Sequence, residues 1–292
     1  RSQALVVTAG FLGILMFPSL PRIPLLPLAG ACLVMSNMLN RRETKAAQQA
    51  EAETAAAGKA EKKEERVEDY LTIDPMELEL GVGLIRLADP NRGGDLLDRV
   101  QRVRQNVAGE IGILLPKVRI RDNMRLDAQQ YRIKIADIPI AAGEVEPGRL
   151  LAIDSGMTTG PIDGIATLDP AFGTPARWID PALASQAEMA GYTVAEPGAV
   201  LATHLTEVCR RHADEILTRD ATKHLIDELK TTSPAVVDGL IPTPMSVAEV
   251  QGILQLLLRE QVSVRQLGLI LETLGDHASR SKDPILLTEY VR

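Results

Sequence analysis

Aromatic residues are scarce in this sequence. Three Phe, four Tyr and one Trp among 292 residues amount to 3% of the chain. Any core must therefore be assembled from Leu, Ile, Val and Ala, within an apolar share of 45%. An excess of basic residues is missing too. The formal net charge is -7, which excludes generic nucleic-acid binding, since that needs a basic face. Cysteine is nearly absent: Cys32 and Cys209 stand far apart, in different kinds of segment. Neither a disulfide framework nor a cysteine metal cluster is expected, and the soluble part fits a reducing compartment. No internal repeat emerges. The chain opens on Arg1 rather than Met, as a fragment would, yet its length suffices for two or more domains.

What is present changes character along the chain. Ala4 to Phe17, "ALVVTAGFLGILMF", carries no charge, and Leu25 to Leu39, "LLPLAGACLVMSNML", is a second apolar run beyond a Pro-rich turn with Arg22. Each falls somewhat short of the roughly 20 residues of a bilayer span. Together, residues 1–40 are expected to form a transmembrane helical hairpin; the charge pattern and flanks do not suit a cleaved signal peptide. Arg41, Arg42 and Lys45 follow at once, so everything beyond residue 40 is expected in the cytoplasm. Residues 41–68 hold seven basic and seven acidic residues and no apolar stripe. Such a segment reads as a solvated, flexible linker.

Order is expected from about Leu71. Met76, Leu78, Leu80 and Val82 alternate with other residues at the period of a strand. Leu96, Leu97, Val100, Val103 and Val107 share one helical face, with Asp95 as cap. Strand-like runs return at "KVRIRDN" and "YRIKIADIPI". From residue 180 the pattern turns helical. Asp180, Pro181 and Gly191 punctuate one helix, another starts near Pro197, and Asp283-Pro284 opens a last one. "SVAE" (246–249) and "SVRQ" (263–266) read as capping boxes ahead of Leu-rich helices. The expected class is α+β, followed by an all-helical region from about residue 217.

Three groups of residues invite a chemical reading. Gly81-Val-Gly83 lacks the third glycine and the immediate helix of a nucleotide loop. His204, Glu207, Cys209 and His212 are all metal-ligand types, but on a helix they fan around more than half the circumference and cannot converge on one ion. They read better as core or interface residues. Asp154-Ser155-Gly156, in "LLAIDSGMTTG", is written like the catalytic loop of an aspartic protease. Such an enzyme needs two carboxylates sharing a proton, and the tripeptide occurs once. It reads better as a turn, in which Gly156 permits positive φ. No catalytic residue, metal site or cofactor is expected.

The order of motifs carries more. "GDLLDRV" (94–100), "IRDNMRL" (120–126), "YRIKI" (131–135), "LDPAFGTPARWID" (168–180), "GYTV" (191–194), "ATHLTEV" (202–208) and "ILETLGDHASRSKDPILLTEYVR" (270–292) run in one series. In that series the chain resembles the C-terminal portion of the export-gate family of type III secretion. "DPAFG" and "ATHL" look more like the flagellar branch than the virulence (injectisome) branch, which is the alternative; a membrane-anchored aspartic protease is a remote one.

The resemblance implies a non-enzymatic component of the flagellar protein export gate, multi-pass in the bacterial inner membrane, with its C-terminal region cytoplasmic. It implies a homo-nonameric ring of cytoplasmic domains that receives export chaperones with their substrates for proton-motive-force-driven export. Other export-gate membrane proteins and the export ATPase complex, through its stalk, are implied partners; nucleic acid is not. The implied division is a first α+β subdomain over 69–147 plus 197–216, an inserted second over 148–196, and a helical third over 217–292, with a fourth absent. Motif for motif, the family's chaperone-docking site falls on Asp169, Phe172, Val200, Ala202 and Thr203. Phe172 also suits that role by chemistry. It stands beside Pro170 and Gly173 in a loop-like segment, an apolar anchor with a charge nearby, as helix-in-groove recognition requires. The bland alternative makes Phe172 a core residue.

Overall fold

The computed structural model describes residues 73–292. The expected membrane hairpin and charged linker lie outside the described residues. Among the described residues, no helix is long and apolar enough to cross a membrane. The content is α+β, as the hydrophobic periods predict.

The first sheet has the order β2-β1-β3-β4, with β1 at Met76–Leu80, β2 at Val118–Asp122, β3 at Gln130–Ile135 and β4 at Ile138–Glu144. β1 pairs parallel with β2 and antiparallel with β3. Its alternation is real, but neither face is open to water: Glu77 and Glu79 are buried, at 7% and 8% exposure, as well as Met76, Leu78 and Leu80. Met76, Leu78 and Leu80 join the main core. On the opposite face Arg121 Nε lies 2.9 Å from Glu77, and Lys134 Nζ 2.7 Å from Glu79. Asn123 donates to Glu79 at 2.9 Å. Burial works against the Glu79 carboxylate, yet the hydrogen bonds from Lys134 and Asn123 outweigh it and hold the carboxyl below its usual range. An unpaired buried carboxylate would cost on the order of several kcal/mol, so these cations are what let a Glu-bearing strand sit in mid-sheet. Val82 was expected to continue this strand. Instead β1 stops at Leu80, and Val82 is exposed in a 3-10 turn.

"YRIKIADIPI" divides into β3 and β4, an antiparallel hairpin. Ala136 and Asp137, both with positive φ, form the two-residue connection whose twist matches its strands. Helix α1, Leu96–Glu110, covers the sheet with Leu96, Val100, Val103 and Val107 buried. Two expectations fail at its start. Leu97 is exposed, and Asp95 accepts no capping bond, because Arg99 Nε donates to its carboxylate at 2.6 Å.

The second sheet has the order β6-β7-β5-β8 and is antiparallel throughout. Its strands are β5 (Leu150–Asp154), β6 (Ile165–Leu168), β7 (Pro175–Ile179) and β8 (Tyr192–Ala195), with α2 (Ala184–Met189) between β7 and β8. Alternation along the strands builds two cores. Ala152, Ile162, Ile179 and Ala187 close a small one, while Leu151, Ala176 and Trp178 join the main one. Helix α3, Pro197–Arg211, follows β8 and packs on α1. The helices meet closely at Gly198, where a Cβ would lie 3.2 Å from both Arg99 Nε and Asp95 Oδ1.

The remainder is helical: α4 (Arg219–Thr232), α5 (Pro234–Asp238), α6 (Val247–Arg259), α7 (Leu267–Ala278) and α8 (Pro284–Val291). Ser246 and Glu249 make the expected capping box of α6. Ser263 does not make one. Its hydroxyl donates to the carbonyls of Glu110 and Ile111 at the end of α1, and α7 starts at Leu267 without a side-chain cap. Val264 N–H also donates to Ile111 O at 2.8 Å. At Gly112, with φ +89°, a Cβ would lie 2.3 Å from Arg265 N. The helical region is thus tied to α1 by backbone, and one apolar cluster runs from Met76 to Leu287.

Candidate docking site

The connection between β6 and β7, "LDPAFGTP" (168–175), is a self-bonded turn. Asp169 N–H donates to Thr174 O and Gly173 N–H to Asp169 O, both at 2.8 Å. Gly173, at φ +71°, supplies the left-handed residue that closes it. This loop tucks Ala171 inward, at 3% exposure, and presents Phe172 at 60%. Leu168 is exposed beside it. Phe172 is therefore no core residue: a large apolar ring is presented to water by a turn bonded to itself.

Helix α3 forms the second wall. Leu201, Leu205 and Val208 face the core, and so does Val200. Ala202 is half-buried and Thr203 exposed. Arg211, which is ion-paired with Glu207 at 2.9 Å, reaches the Ala171 carbonyl at 3.4 Å. The end of α3 and the turn are thereby joined. Of the five residues singled out in the sequence, Phe172 and Thr203 are presented to solvent, Ala202 partly so, and Asp169 and Val200 are withdrawn at 3% exposure each.

Behind this surface lies a buried polar pair that sequence reasoning missed. Tyr131 Oη on β3 and His204 Nδ1 on α3 are 2.7 Å apart, the rings edge to face. Both side chains are enclosed. Gly143, across the hairpin from Tyr131, makes room: a Cβ there would lie 2.5 Å from the phenol oxygen. Burial holds the His204 imidazolium below the ordinary histidine range, although the Asp169 charge acts to raise it. Burial, reinforced by Asp169, pushes the Tyr131 phenol well above its usual range. Both groups are neutral near pH 7 on these grounds. The signal in the sequence was a histidine beside the apolar stripe of α3, where polar groups are expected only with a partner.

The other chemical candidates resolve into structure. Asp154 accepts from Gly156 N–H at 2.8 Å and Thr158 Oγ1 at 3.1 Å, and Gly156 has φ +80°. Its carboxylate serves its own turn. Among the described residues no three His, Cys, Asp or Glu are grouped to hold a metal ion. Glu207 is bonded to Arg211, His212 to Glu215, and burial pushes the Cys209 thiol up to about 12. Gly81 and Gly83 are packing glycines: their Cβ atoms would lie 2.0 Å from Asp127 O and 2.7 Å from Ala128 O. A cleft of about 350 Å³ at the ends of α1, α3 and α6 is lined by Glu110, Arg210 and Gln261, among others. Its polar walls bond to each other, Arg210 to Glu110 at 2.6 Å and Gln261 to the Arg210 carbonyl.

The chain as a whole is similar to known proteins. The model of the FHIPEP family matches residues 1–292. The flagellar biosynthesis protein FlhA of Bacillus subtilis (strain 168) is 46% identical over 231 residues, 79% of this chain and 34% of that protein. The chain thus spans about a third of that relative's length. The structure of the Chlamydia pneumoniae CdsV protein superposes with TM-score 0.65 at 26% identity, covering 75% of this chain and 66% of that one. Nonameric EPEC SctV-C, at TM-score 0.58 and 20% identity over 75% of this chain and 64% of that one, shares the fold.

Proposed function

Because the chain belongs to the FHIPEP family, we propose that it is part of the flagellar type III protein export gate in the bacterial inner membrane. Its region beyond residue 72 lies in the cytoplasm and docks export chaperones carrying their substrates. No bond is made or broken there. The first subdomain spans 69–147 and 197–216, the insert 148–196, and the helical third 217–292. Docking takes place between the first two, on Phe172, Thr203 and Ala202, with Asp169 and Val200 shaping the surface from beneath. Nine copies form a ring, a reading supported by the fold shared with nonameric SctV-C. The other membrane proteins of the gate and the stalk of the export ATPase complex complete the partners. The likeness to FlhA at 46% identity favours the flagellar branch over the injectisome branch.

One observation carries this reading. Phe172 is 60% exposed on a turn whose backbone is bonded to itself and to Arg211 of α3. A pre-ordered aromatic anchor beside a charge is what an amphipathic chaperone helix needs, since little ordering entropy is lost on binding. Phe172→Ala is expected to weaken binding of a late-substrate chaperone complex by about tenfold or more, leaving the thermal midpoint unchanged. Isothermal calorimetry and thermal melting check the two halves; equal affinity in wild type and variant overturns the site.

A further inference from the structure

The docking surface described above calls for a charge beside its aromatic anchor, and the acid nearest in sequence does not face a partner. Asp169 is 3% exposed, and its carboxylate accepts from Ala171 N–H at 3.4 Å within its own turn. The charge that stands in water there has the opposite sign. Arg211, in the last turn of α3, keeps 59% of its side chain exposed. Its Nη2 donates to the carbonyl of Ala171 at 3.4 Å, and Ala171 is the residue before Phe172. Its Nε donates to Glu207, one helical turn earlier, at 2.9 Å. We propose that Arg211 is a specificity-determining residue of the docking site: it receives a carboxylate of the chaperone helix, while Phe172 receives an apolar side chain of the same helix.

This role rests on the docking reading and gives the partner a chemistry. A guanidinium carries more N–H donors than these two bonds use. Among the described residues Nη1 makes no hydrogen bond, so it is left for a group from outside. The two existing bonds hold the guanidinium in place, and little side-chain entropy remains to be lost when a carboxylate arrives. Adjacent residues lie about 3.8 Å apart along the chain, and the guanidinium touches the neighbour of Phe172. Side chains three or four positions apart on a helix are separated by about 5–6 Å. A helix laid over Phe172 thus brings a side chain one turn away to Arg211. The partner that fits is an amphipathic helix with an apolar residue and, three or four positions from it, an Asp or Glu. A Lys or Arg at that position would meet the guanidinium charge and be selected against. Glu207 offsets part of the charge, although only 16% of its side chain is exposed. Since the chain carries a net charge of -7, attraction of an acidic group has to come from such a local cation.

Salt separates this contact from mere support of the turn. Exposed charges are screened beyond about 10 Å at 0.1 M salt and about 3 Å at 1 M, whereas an apolar contact is not. The test is calorimetric titration of a flagellar chaperone–substrate complex into the whole chain at about 0.05 M and about 0.5 M salt. Arg211→Gln keeps an N–H donor for the turn and removes the charge. It is expected to bind on the order of tenfold more weakly than wild type at the lower salt, and within about twofold of it at the higher. Arg211→Lys keeps the charge and is expected to retain the salt dependence that Arg211→Gln loses. Arg210→Gln, next in sequence but paired with Glu110 at 2.6 Å, is expected to match wild type at both salts. Arg211→Gln that binds like wild type at the lower salt, or is weakened equally at both, overturns this role, the latter result leaving only a brace for the turn. So does a salt dependence that Arg211→Lys loses as well, or an equal effect of Arg210→Gln. Phe172→Ala is expected to weaken binding at both salts. If it binds like wild type, the docking reading fails and takes this role with it; if it weakens binding while Arg211→Gln does not, this role alone fails.

Discussion

At the scale of single residues, glycine separates what sequence shows from what only packing shows. Gly81, Gly83 and Gly252 look alike in the chain. In the fold, a Cβ at Gly81 would lie 2.0 Å from a backbone oxygen, whereas nothing approaches Gly252 within 4 Å, mid-way along α6. Gly81→Ala is expected to cost about 3 kcal/mol or more, since backbone and not a mobile side chain must yield. Gly252→Ala is expected to stabilise by roughly 0.5–1 kcal/mol, through helix propensity. Urea titration of both variants checks the contrast. The polar residues divide the same way. Phe172 was legible as an anchor from its scarcity and its Pro-Gly neighbours. Tyr131, His204 and Gly143 were not, because they come from three elements and become a unit only when β3, β4 and α3 are assembled.

At the scale of elements, hydrophobic period and cap chemistry identified most helices and the strands of the first sheet but not their environment. The second sheet, β5 to β8, was missed, and β8 at Tyr192–Ala195 interrupts the stretch from residue 180 that was expected to be helical. β1 alternated as a half-solvated strand does, yet Glu77 and Glu79 lie under Arg121 and Lys134, which come from strands far along the chain from it. No local pattern announces that. The two Ser-x-x-Glu/Gln motifs make the point sharper, since one caps and one does not. Ser246→Ala is expected to cost about 1 kcal/mol and to speed hydrogen exchange at Glu249 N–H in the first turn of α6. Ser263→Ala is expected to cost about as much while leaving the first turn of α7 unchanged. Its effect falls on Val264 N–H, which is bonded to Ile111 at the end of α1. Exchange rates at these amides, read by NMR, distinguish a cap from a tie between regions. Tertiary context decided between them: Gly112 brings the loop before α7 so close that Ser263 finds α1 carbonyls before it finds its own helix.

At the scale of the whole molecule, one continuous core joins both sheets to the helices, and the docking turn projects from the sheet built on it. Stability should carry the mark of His204. Its depressed protonation means that the folded state loses stability as pH drops below the ordinary histidine range, and His204→Gln should flatten that portion of a thermal-midpoint profile. Membership of the FHIPEP family was legible because its motifs are spread over the chain in a fixed order, which no single fold-building requirement would impose. The measurement that bears most directly on the central claim is calorimetric titration of a flagellar chaperone–substrate complex into the whole chain at pH 7.5. The account predicts saturable binding in wild type, binding weakened by about tenfold or more in Phe172→Ala with the melting temperature unaltered, and wild-type binding in Asp154→Asn. Binding that survives Phe172→Ala intact, or that depends on Asp154 instead, would contradict it.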